Sequence, residues 1–206
     1  MKKKTLYLIR HAQSLPKAAL GFSGWRLSPI GAKQAEELAA LLVPLNIDQI
    51  FSSPFVRTVD TAAPFARRRA LEIVHIDDLR ERLIENDGCH PSDEVWHKSW
   101  EDFDFAPPGC ESSRKAQARM CGAVEGIARD ASGTTAVFSH GNVIGLFLNS
   151  LDGSFGRKAV EAIRNPDVIK IDWEGGRFAW DRHFRLAGLE HIATAHNQTP
   201  KEHSLK

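Results

Sequence analysis

Four side chains of this chain have the types and positions needed to handle an anion. Arg10 and His11 are adjacent, Arg57 follows a Ser-Ser-Pro stretch, and His140 precedes a glycine. Guanidinium groups bind phosphate oxygens in bidentate geometry. Histidine acts as a nucleophile, an acid or a base near neutral pH. These residue types indicate chemistry on a phosphate or a similar oxyanion.

The same side chains follow segments that are typical of buried strands. Short apolar runs at Thr5 to Ile9, Ile47 to Phe51 and Thr134 to Phe138 predict strands of a parallel sheet. Each run ends where one of the arginine or histidine motifs begins, and each is followed by a predicted helix, whose free N–H groups favour anions. Because ligands of such sheets bind beyond the carboxyl ends of the strands, we expect these side chains to meet at one edge.

Each residue also has an ordinary structural interpretation. A polar side chain after a buried strand has simply reached water, and Arg57 alone is more typical of a solvated helix residue. His140 alone is equally well explained as a hydrogen-bonded structural histidine. The hypothesis of an anion site therefore depends on the coincidence of three strand ends.

The rest of the chain alternates helix and strand patterns. Helices are predicted from Ser28-Pro29, from Ser53-Pro54 to about Arg69, from Glu111 onwards and over Gly141 to Leu151. A strand is predicted at Leu71 to Ile76, and a hairpin at Val168 to Trp173 and Arg177 to Trp180. The pattern predicts an α/β fold, a three-layer sandwich with a mostly parallel central sheet and helices on both faces.

One domain is predicted over residues 1–186, with an insertion at about 84–110 and a polar tail over 187–206. The insertion carries a helix near Asp93 to Asp102. Its Trp96, Trp100 and Phe103 have helical spacing, which favours a core-facing stripe over an aromatic wall of a substrate pocket.

Composition excludes several classes of protein. The chain has 206 residues, and 27 Lys+Arg against 26 Asp+Glu leave a net charge of +1, so we expect neither nucleic acid nor membrane partners. No apolar run approaches the ~18 residues of a membrane span, and the first apolar run is too short for a signal peptide. Three cysteines without a CxxC pair favour a cytoplasmic location. We expect no metal and no cofactor, because the sequence has no Walker A loop and no aspartate-rich magnesium motif, and because Cys89, His90, His97 and Cys110 match no standard zinc spacing.

Five motifs, in order, resemble the histidine phosphatase superfamily, which includes cofactor-dependent phosphoglycerate mutases. The first motif is Leu8-Ile9-Arg10-His11-Ala12-Gln13-Ser14. The others are Ser52-Ser53-Pro54-Phe55-Val56-Arg57-Thr58, Leu79-Arg80-Glu81, Gly109-Cys110-Glu111-Ser112 and Ser139-His140-Gly141-Asn142. Leu27 to Gly31 is similar to the first helix of the family. The resemblance spans about Thr5 to Trp180.

The resemblance implies a role for each matching residue. His11 is the expected nucleophile, held neutral by the neighbouring cations, and it forms a phosphohistidine. Arg10, Arg57 and His140 are expected to bind the phosphoryl oxygens. Glu81 is the expected acid and base, although Asp77, Asp78, Glu85 and Asp87 lie close to it in the sequence. Ser14 and Asn142 are further candidates for phosphate binding, each equally explained as a turn or cap residue.

Two positions depart from the family pattern: Ala12 stands where glycine is common, and Lys17 where many relatives have asparagine. The stretch after the third strand lacks the mutase-type Glu-Arg-His-Tyr-Gly sequence, so hydrolysis is favoured over transfer. The leading prediction is a metal-independent phosphomonoester hydrolase acting on a small phosphorylated metabolite. A mutase-like phosphotransferase, a non-catalytic phosphate-binding regulator and a phosphohistidine protein phosphatase stay open as alternatives. The sequence leaves the oligomeric state open.

Overall fold

The computed structural model describes residues 3–17, 20–83 and 92–194. Its strands are β1 (Lys4–Arg10), β2 (Ser14–Leu15), β3 (Arg26–Leu27), β4 (Gln49–Ser52), β5 (Ile73–His75), β6 (Thr135–Ser139), β7 (Asp167–Glu174) and β8 (Arg177–Trp180). Six of them form one sheet in the order β5-β4-β6-β1-β7-β8, and β2 pairs with β3 in a separate ribbon. Neighbours from β5 to β1 are parallel, while β7 and β8 add an antiparallel hairpin. The predicted mostly parallel sheet and the predicted hairpin are confirmed.

Helices cover both faces of the sheet. They are α1 (Pro29–Leu42), α2 (Val56–Arg69), α3 (Asp93–Glu101), α4 (Ser113–Asp130), α5 (Gly141–Leu151), α6 (Arg157–Glu161) and α7 (Leu189–Ile192). Leu6 and Leu8 of β1 join one buried cluster with α4 and α5, whereas Tyr7 and Ile9 join another with α1, α2 and α7. Side chains alternate across a strand, so a continuous apolar run fills two cores at once. The predicted three-layer architecture is confirmed. No helix within the described ranges is long and apolar enough to cross a membrane.

Helix α1 begins as its sequence predicts. The Ser28 hydroxyl accepts a hydrogen bond from the Gly31 N–H at 2.9 Å, and Pro29 occupies the first helical position. The first turn of α1 lies directly on the segment after His11, because a Cβ atom at Gly31 would be 1.9 Å from the Gln13 carbonyl oxygen. Glycine is therefore required where the helix meets this loop.

Three predicted elements differ from the structure. Helix α2 begins at Val56, and Ser53 does not cap it, because the fully buried Ser53 hydroxyl faces His140. The strand predicted over Leu71 to Ile76 shrinks to β5 at the sheet edge, where Val74 is exposed. The polar tail predicted from 187 packs against the protein as far as 194, since Leu189 is buried in the second core. Residues 195–206 lie outside the described residues.

The insertion presents its aromatic side chains to the core. Helix α3 matches the predicted helix closely, and Trp96, Trp100 and Phe103 pack against the cluster that contains α4 and α5. Their rings form edge-on pairs, and the Trp96 indole donates a hydrogen bond to Glu161 at 3.0 Å. The core-facing stripe is confirmed, and the alternative of an aromatic wall at the substrate is not. Residues 84–91 of the predicted insertion lie outside the described residues.

We predict that Gly31→Ala lowers the free energy of unfolding by about 3 kcal/mol, because the added methyl group overlaps a backbone oxygen that cannot move freely. Gly122→Ala is the matched control: a Cβ atom there meets nothing within 4 Å, so this helical substitution should raise stability by roughly 0.5 to 1 kcal/mol. Urea unfolding of both variants measures the difference. Equal stabilities would contradict the close approach of α1 to the loop.

Candidate active site

Three strand ends bring two imidazole rings and two guanidinium groups together. Arg10 ends β1, His11 follows it, His140 follows β6, and Arg57 lies in the first turn of α2. The rings of His11 and His140 have centroids 5.2 Å apart. Arg57 Nε is 3.3 Å from His11 Nε2. The parallel pairing of β1, β4 and β6 produces this meeting, since it aligns their carboxyl ends.

The His11 ring is fixed by its own backbone. Nδ1 lies 2.7 Å from the carbonyl oxygen of Ala12, which can only accept a hydrogen bond, so Nδ1 carries a proton. In the neutral ring the lone pair is then on Nε2, the nitrogen that faces Arg57. Ala12 does not adopt a positive φ angle, so alanine in place of glycine causes no strain there.

A network of hydrogen bonds holds the segment that carries His11. The His11 N–H donates to the Ser139 carbonyl, and the Asn165 side chain donates to the His11 carbonyl at 2.9 Å. The Ala12 N–H donates to Thr61 Oγ1 of α2, at 3.0 Å. The Gln13 N–H donates to Gln34 Oε1 of α1. Four different parts of the chain thus fix one short loop, which is the kind of rigid support that a reactive side chain requires.

His140 is fully buried between neighbours of several kinds. Its Nε2 lies 2.8 Å from the Ser53 hydroxyl, and the Phe55 ring packs edge-on against it with centroids 5.2 Å apart. Burial, followed by the nearby Arg57, lowers the pKa of His140 well below the ordinary value of 6.5. His11, Arg10 and Arg119 act in the same direction. The ring is therefore neutral at neutral pH.

Both arginines keep their charge despite burial. Burial lowers the pKa of Arg10 to about 10, and burial together with the nearby Arg10 lowers that of Arg57 to about 9, while Glu81 opposes both shifts. Arg10 Nη1 donates to the Ile163 carbonyl at 2.5 Å. A Cβ atom at Gly141 would be 2.9 Å from the Arg10 guanidinium carbon, so the glycine leaves room for this group at the start of α5. Two cations therefore share one pocket.

Glu81 lies across the N-terminus of α5. One carboxylate oxygen accepts the Asn142 N–H at 3.1 Å, and the other accepts the Val143 N–H at 3.1 Å and the Arg82 N–H at 2.8 Å. The free N–H groups of a helix start bind anionic groups in this way. Glu81 also influences the pKa values of Arg10 and Arg57, so the structure brings this predicted acid to the same site.

The two less specific candidates differ in their placement. The Asn142 side chain is buried in the first turn of α5, and neither of its amide atoms has a hydrogen-bond partner within the described residues. Ser14 is buried in β2, paired with Leu27. Within the described ranges, the Ser14 hydroxyl contacts none of the other candidate site residues. Lys17 is exposed.

Sequence reasoning missed a pair of arginines that hold the Glu81 segment. Arg119 of α4 binds both oxygens of Glu111 and donates to the carbonyls of Asp78 and Arg80 at 2.7 Å each. Arg82 is almost fully buried and donates to the Glu111 carbonyl and to a serine of α4. In the sequence, Arg82 lies next to the acid motif and Arg119 lies shortly after the pre-helix motif. These positions alone do not indicate which carbonyl groups the two side chains contact.

The aromatic side chains next to the site also come from elements that the sequence did not indicate. The Arg57 guanidinium carbon lies 5.0 Å from the Phe55 ring centroid and 5.6 Å from that of Trp25. Trp25 is buried although it belongs to the loop between β2 and β3. Within the described ranges no three His, Cys, Asp or Glu side chains group as metal ligands, and Cys89 and His90 lie outside those ranges.

The family model of the histidine phosphatase superfamily, branch 1, matches residues 6–185, which include all of the site residues above. The chain belongs to this superfamily. The resemblance predicted from the five motifs is thereby confirmed.

The proteins similar to this chain include a probable phosphatase and a probable phosphoglycerate mutase. A probable phosphatase of Schizosaccharomyces pombe is 39% identical over 82 residues, which cover 38% of this chain and 39% of that protein. The chain thus spans about two fifths of the length of that relative. A probable phosphoglycerate mutase GpmB of Proteus mirabilis is 26% identical over 183 residues, covering 82% of this chain and 85% of that protein.

A solved structure agrees in fold. The crystal structure of a phosphoglycerate mutase from Bacillus anthracis matches with a TM-score of 0.73 at 20% identity, covering 93% of this chain and 96% of that one. At this level of identity the likeness shows the shared fold alone.

We predict that His140 makes stability depend on pH. Below pH 6.5 the unfolded chain takes up a proton that the buried ring does not, so this contribution is complete above pH 6.5 and is lost as the pH falls towards the lower folded pKa. The free energy of unfolding should fall by up to about 1.4 kcal/mol per pH unit below that value.

Urea unfolding between about pH 8 and about pH 5 measures the slope. His140→Gln should reduce it, whereas His191→Gln should keep it, because the His191 side chain is 81% exposed. An identical slope in wild type and His140→Gln would show that this ring does not titrate as expected.

Proposed function

We propose that the protein is a metal-independent phosphomonoester hydrolase that acts through a phosphohistidine at His11. One observation carries the proposal. The His11 ring donates a hydrogen bond from Nδ1 to the Ala12 carbonyl, which leaves Nε2 of the neutral ring beside Arg57 with the lone pair. A nucleophile needs a lone pair, and an anionic substrate needs nearby positive charge. Both are present at Nε2, whose lone pair accepts a hydrogen bond from the Arg57 Nε–H in this structure.

The first step transfers the phosphoryl group. His11 Nε2 attacks phosphorus in line, so an N–P bond forms while the ester P–O bond breaks. Arg10, Arg57 and His140 bind the equatorial oxygens, on which negative charge is spread in the transition state. We assign Ser14 and Asn142 as further contacts of the phosphate. The assignment of Asn142 is supported by its buried side-chain amide, which has no hydrogen-bond partner within the described residues.

Glu81 handles the protons of both steps. In its protonated form it gives a proton to the leaving alkoxide. The resulting carboxylate, which is the form that the three N–H groups bind in this structure, takes a proton from the water that attacks the phosphohistidine, and this step breaks the N–P bond, releases phosphate and restores the acid. The three N–H groups that hold the carboxylate fix its position between the helix start and the arginines. This fixed position supports Glu81 over Asp77 and Asp78, whose side chains are exposed. The other two acidic neighbours, Glu85 and Asp87, lie outside the described residues.

The proposed substrate is a small phosphorylated metabolite, and the proposed reaction is hydrolysis. Trp25 and Phe55 place aromatic surface beside Arg57, which suits an organic leaving group of limited size. The absence of the mutase-type stretch after Glu81 in the sequence supports water as the acceptor. The cytoplasmic location stays a prediction, as does a single domain.

We predict that His11→Ala lowers phosphatase activity by about 10⁴-fold or more, since the nucleophile is removed. Hydrolysis of p-nitrophenyl phosphate and of a panel of metabolite phosphates, all in EDTA, measures this effect. Quenching of the wild type in alkaline detergent should trap phosphate that is acid-labile and alkali-stable, and His11→Ala should trap none. His183→Ala, at an exposed histidine, is the control and should behave as wild type.

Full activity of His11→Ala, or activity that appears only with an added divalent metal, contradicts the mechanism. Inactivity of the wild type on every ester, combined with normal binding of inorganic phosphate, favours the non-catalytic alternative. Transfer to an acceptor that depends on a bisphosphorylated primer favours the mutase-like one.

We predict that Arg57→Gln lowers kcat by about 100- to 1000-fold, because one guanidinium that stabilises transition-state charge is lost. Arg67→Gln is the matched control on the same helix. Arg67 pairs with Glu36 on the surface, so its removal should change kcat by less than about twofold. Steady-state kinetics of the two variants decide the point, and equal losses would refute a role for Arg57 in catalysis.

A further inference from the structure

We propose that Ser53 is a positioning residue that sets the tautomer of His140, so that the ring presents a protonated Nδ1 to a bound phosphoryl oxygen. The assignment of the tautomer rests on the hydrogen-bond geometry of the buried Ser53 and His140 side chains, together with the neutral state of the buried ring. Only the identity of the acceptor rests on the proposed function.

The hydroxyl of Ser53 has a definite direction. The residue is 0% exposed, so no bulk water competes for its proton. Its oxygen already accepts the Phe55 N–H at 3.3 Å. The proton of the hydroxyl needs an acceptor, and the one available among the described residues is His140 Nε2, at 2.8 Å. The hydroxyl therefore donates and the ring nitrogen accepts.

The state of His140 makes this direction decisive. Burial and the neighbouring cations lower the pKa of the ring well below its ordinary value, so the ring carries a single proton at neutral pH. If Nε2 accepts from Ser53, that proton is on Nδ1. Within the described part of the chain Nδ1 is buried and has no hydrogen-bond partner. A buried donor that lacks an acceptor is unusual and indicates that a ligand supplies one.

The opposite tautomer is worse in two ways. With the proton on Nε2, the ring would donate to Ser53, and the buried hydroxyl proton would lose its acceptor. Nδ1 would then offer a lone pair in a pocket that takes an anion, where lone pairs repel. The rings of Phe55 and His11 pack edge-on against the His140 ring, and this packing hinders a flip of the imidazole. The arrangement thus favours a donor rather than an acceptor at Nδ1.

A neighbouring serine offers a matched comparison. Ser52 is equally buried, but its hydroxyl donates to the Ser53 carbonyl at 2.8 Å and makes no contact with His140 among the described residues. Loss of the Ser52 hydroxyl removes this one hydrogen bond, and loss of the Ser53 hydroxyl removes the bond to His140 and the longer one from the Phe55 N–H. Only loss of the Ser53 hydroxyl releases Nε2.

The first test reads the tautomer directly in the ligand-free protein. Nitrogen-15 NMR of protein labelled at histidine distinguishes a protonated ring nitrogen from an unprotonated one, and the His140 signal is identified by its absence in His140→Gln. We expect a protonated Nδ1 and an unprotonated Nε2 at neutral pH. The reverse pattern, or a doubly protonated ring, overturns the proposal. The spectrum needs no catalytic activity, so failure of the proposed function and failure of this assignment are distinguishable.

The second test uses Ser53→Ala, Ser53→Thr and Ser52→Ala. Ser53→Ala should move the proton of His140 towards Nε2 in the spectrum. Its kcat for p-nitrophenyl phosphate should fall by about 100-fold, as when one oxyanion donor is lost, with a smaller change in KM. Ser53→Thr keeps a hydroxyl and should restore the Nδ1 proton, and Ser52→Ala should leave the His140 signals as in wild type. A Ser53→Ala protein that keeps the wild-type His140 spectrum overturns the proposal.

Discussion

The concentration of positive charge in a buried pocket is the constraint on which the rest of this structure depends. Arg10 and Arg57 are almost fully removed from water, and Arg10 lies close enough to lower the pKa of Arg57. Both arginines also act on the buried ring of His140, which packs against that of His11. Burying like charges together is unfavourable unless hydrogen bonds and opposite charge compensate. A pocket of this kind gains stability when a multiply charged anion enters. The repulsion between these cations is thus the physical basis of the proposed phosphate binding.

The compensation within the protein comes from groups that cannot move away. The Ile163 carbonyl accepts from Arg10, and the Glu81 carboxylate favours the charged state of both arginines while it is bound by the first turn of α5. Glu81 is in turn held through its own segment, whose carbonyls accept from Arg119. Each partner is thereby fixed by a second set of contacts, which is the rigidity that the proposed phosphoryl transfer requires.

The same support connects parts of the chain that are distant in sequence. Arg119 lies on α4 next to the insertion, Asn165 lies in the loop before β7, and Gln34 lies on α1, yet all three contact segments that carry a site residue. Gln34 also donates to the backbone near the end of the described chain, which is one reason why the residues beyond 187 pack against the protein. The candidate active site is therefore a property of the whole sheet and its two helical layers.

Patterning and local chemistry in the sequence were sufficient for the architecture. The apolar run of β1 predicted a strand buried on both faces, Ser28 and Pro29 predicted the start of α1, and the strand-end positions of Arg10, His11 and His140 predicted their meeting. These signals are local, or they follow from the rule that parallel strands align their carboxyl ends. Sequence also favoured the core for the aromatic residues of α3, because helical spacing is a property of the element itself.

Contacts between distant segments were decided only by the tertiary structure. Ser53 carries the residue type and the following proline of a helix cap, but burial against His140 gives its hydroxyl another partner, and α2 starts later. The carbonyls that Arg119 reaches, the N–H groups that Glu81 accepts and the burial of Leu189 likewise depend on which surfaces the folded chain brings together. Sequence fixes the residue types and the local backbone preferences. Hydrogen-bond partners are chosen by proximity in space, which only packing determines.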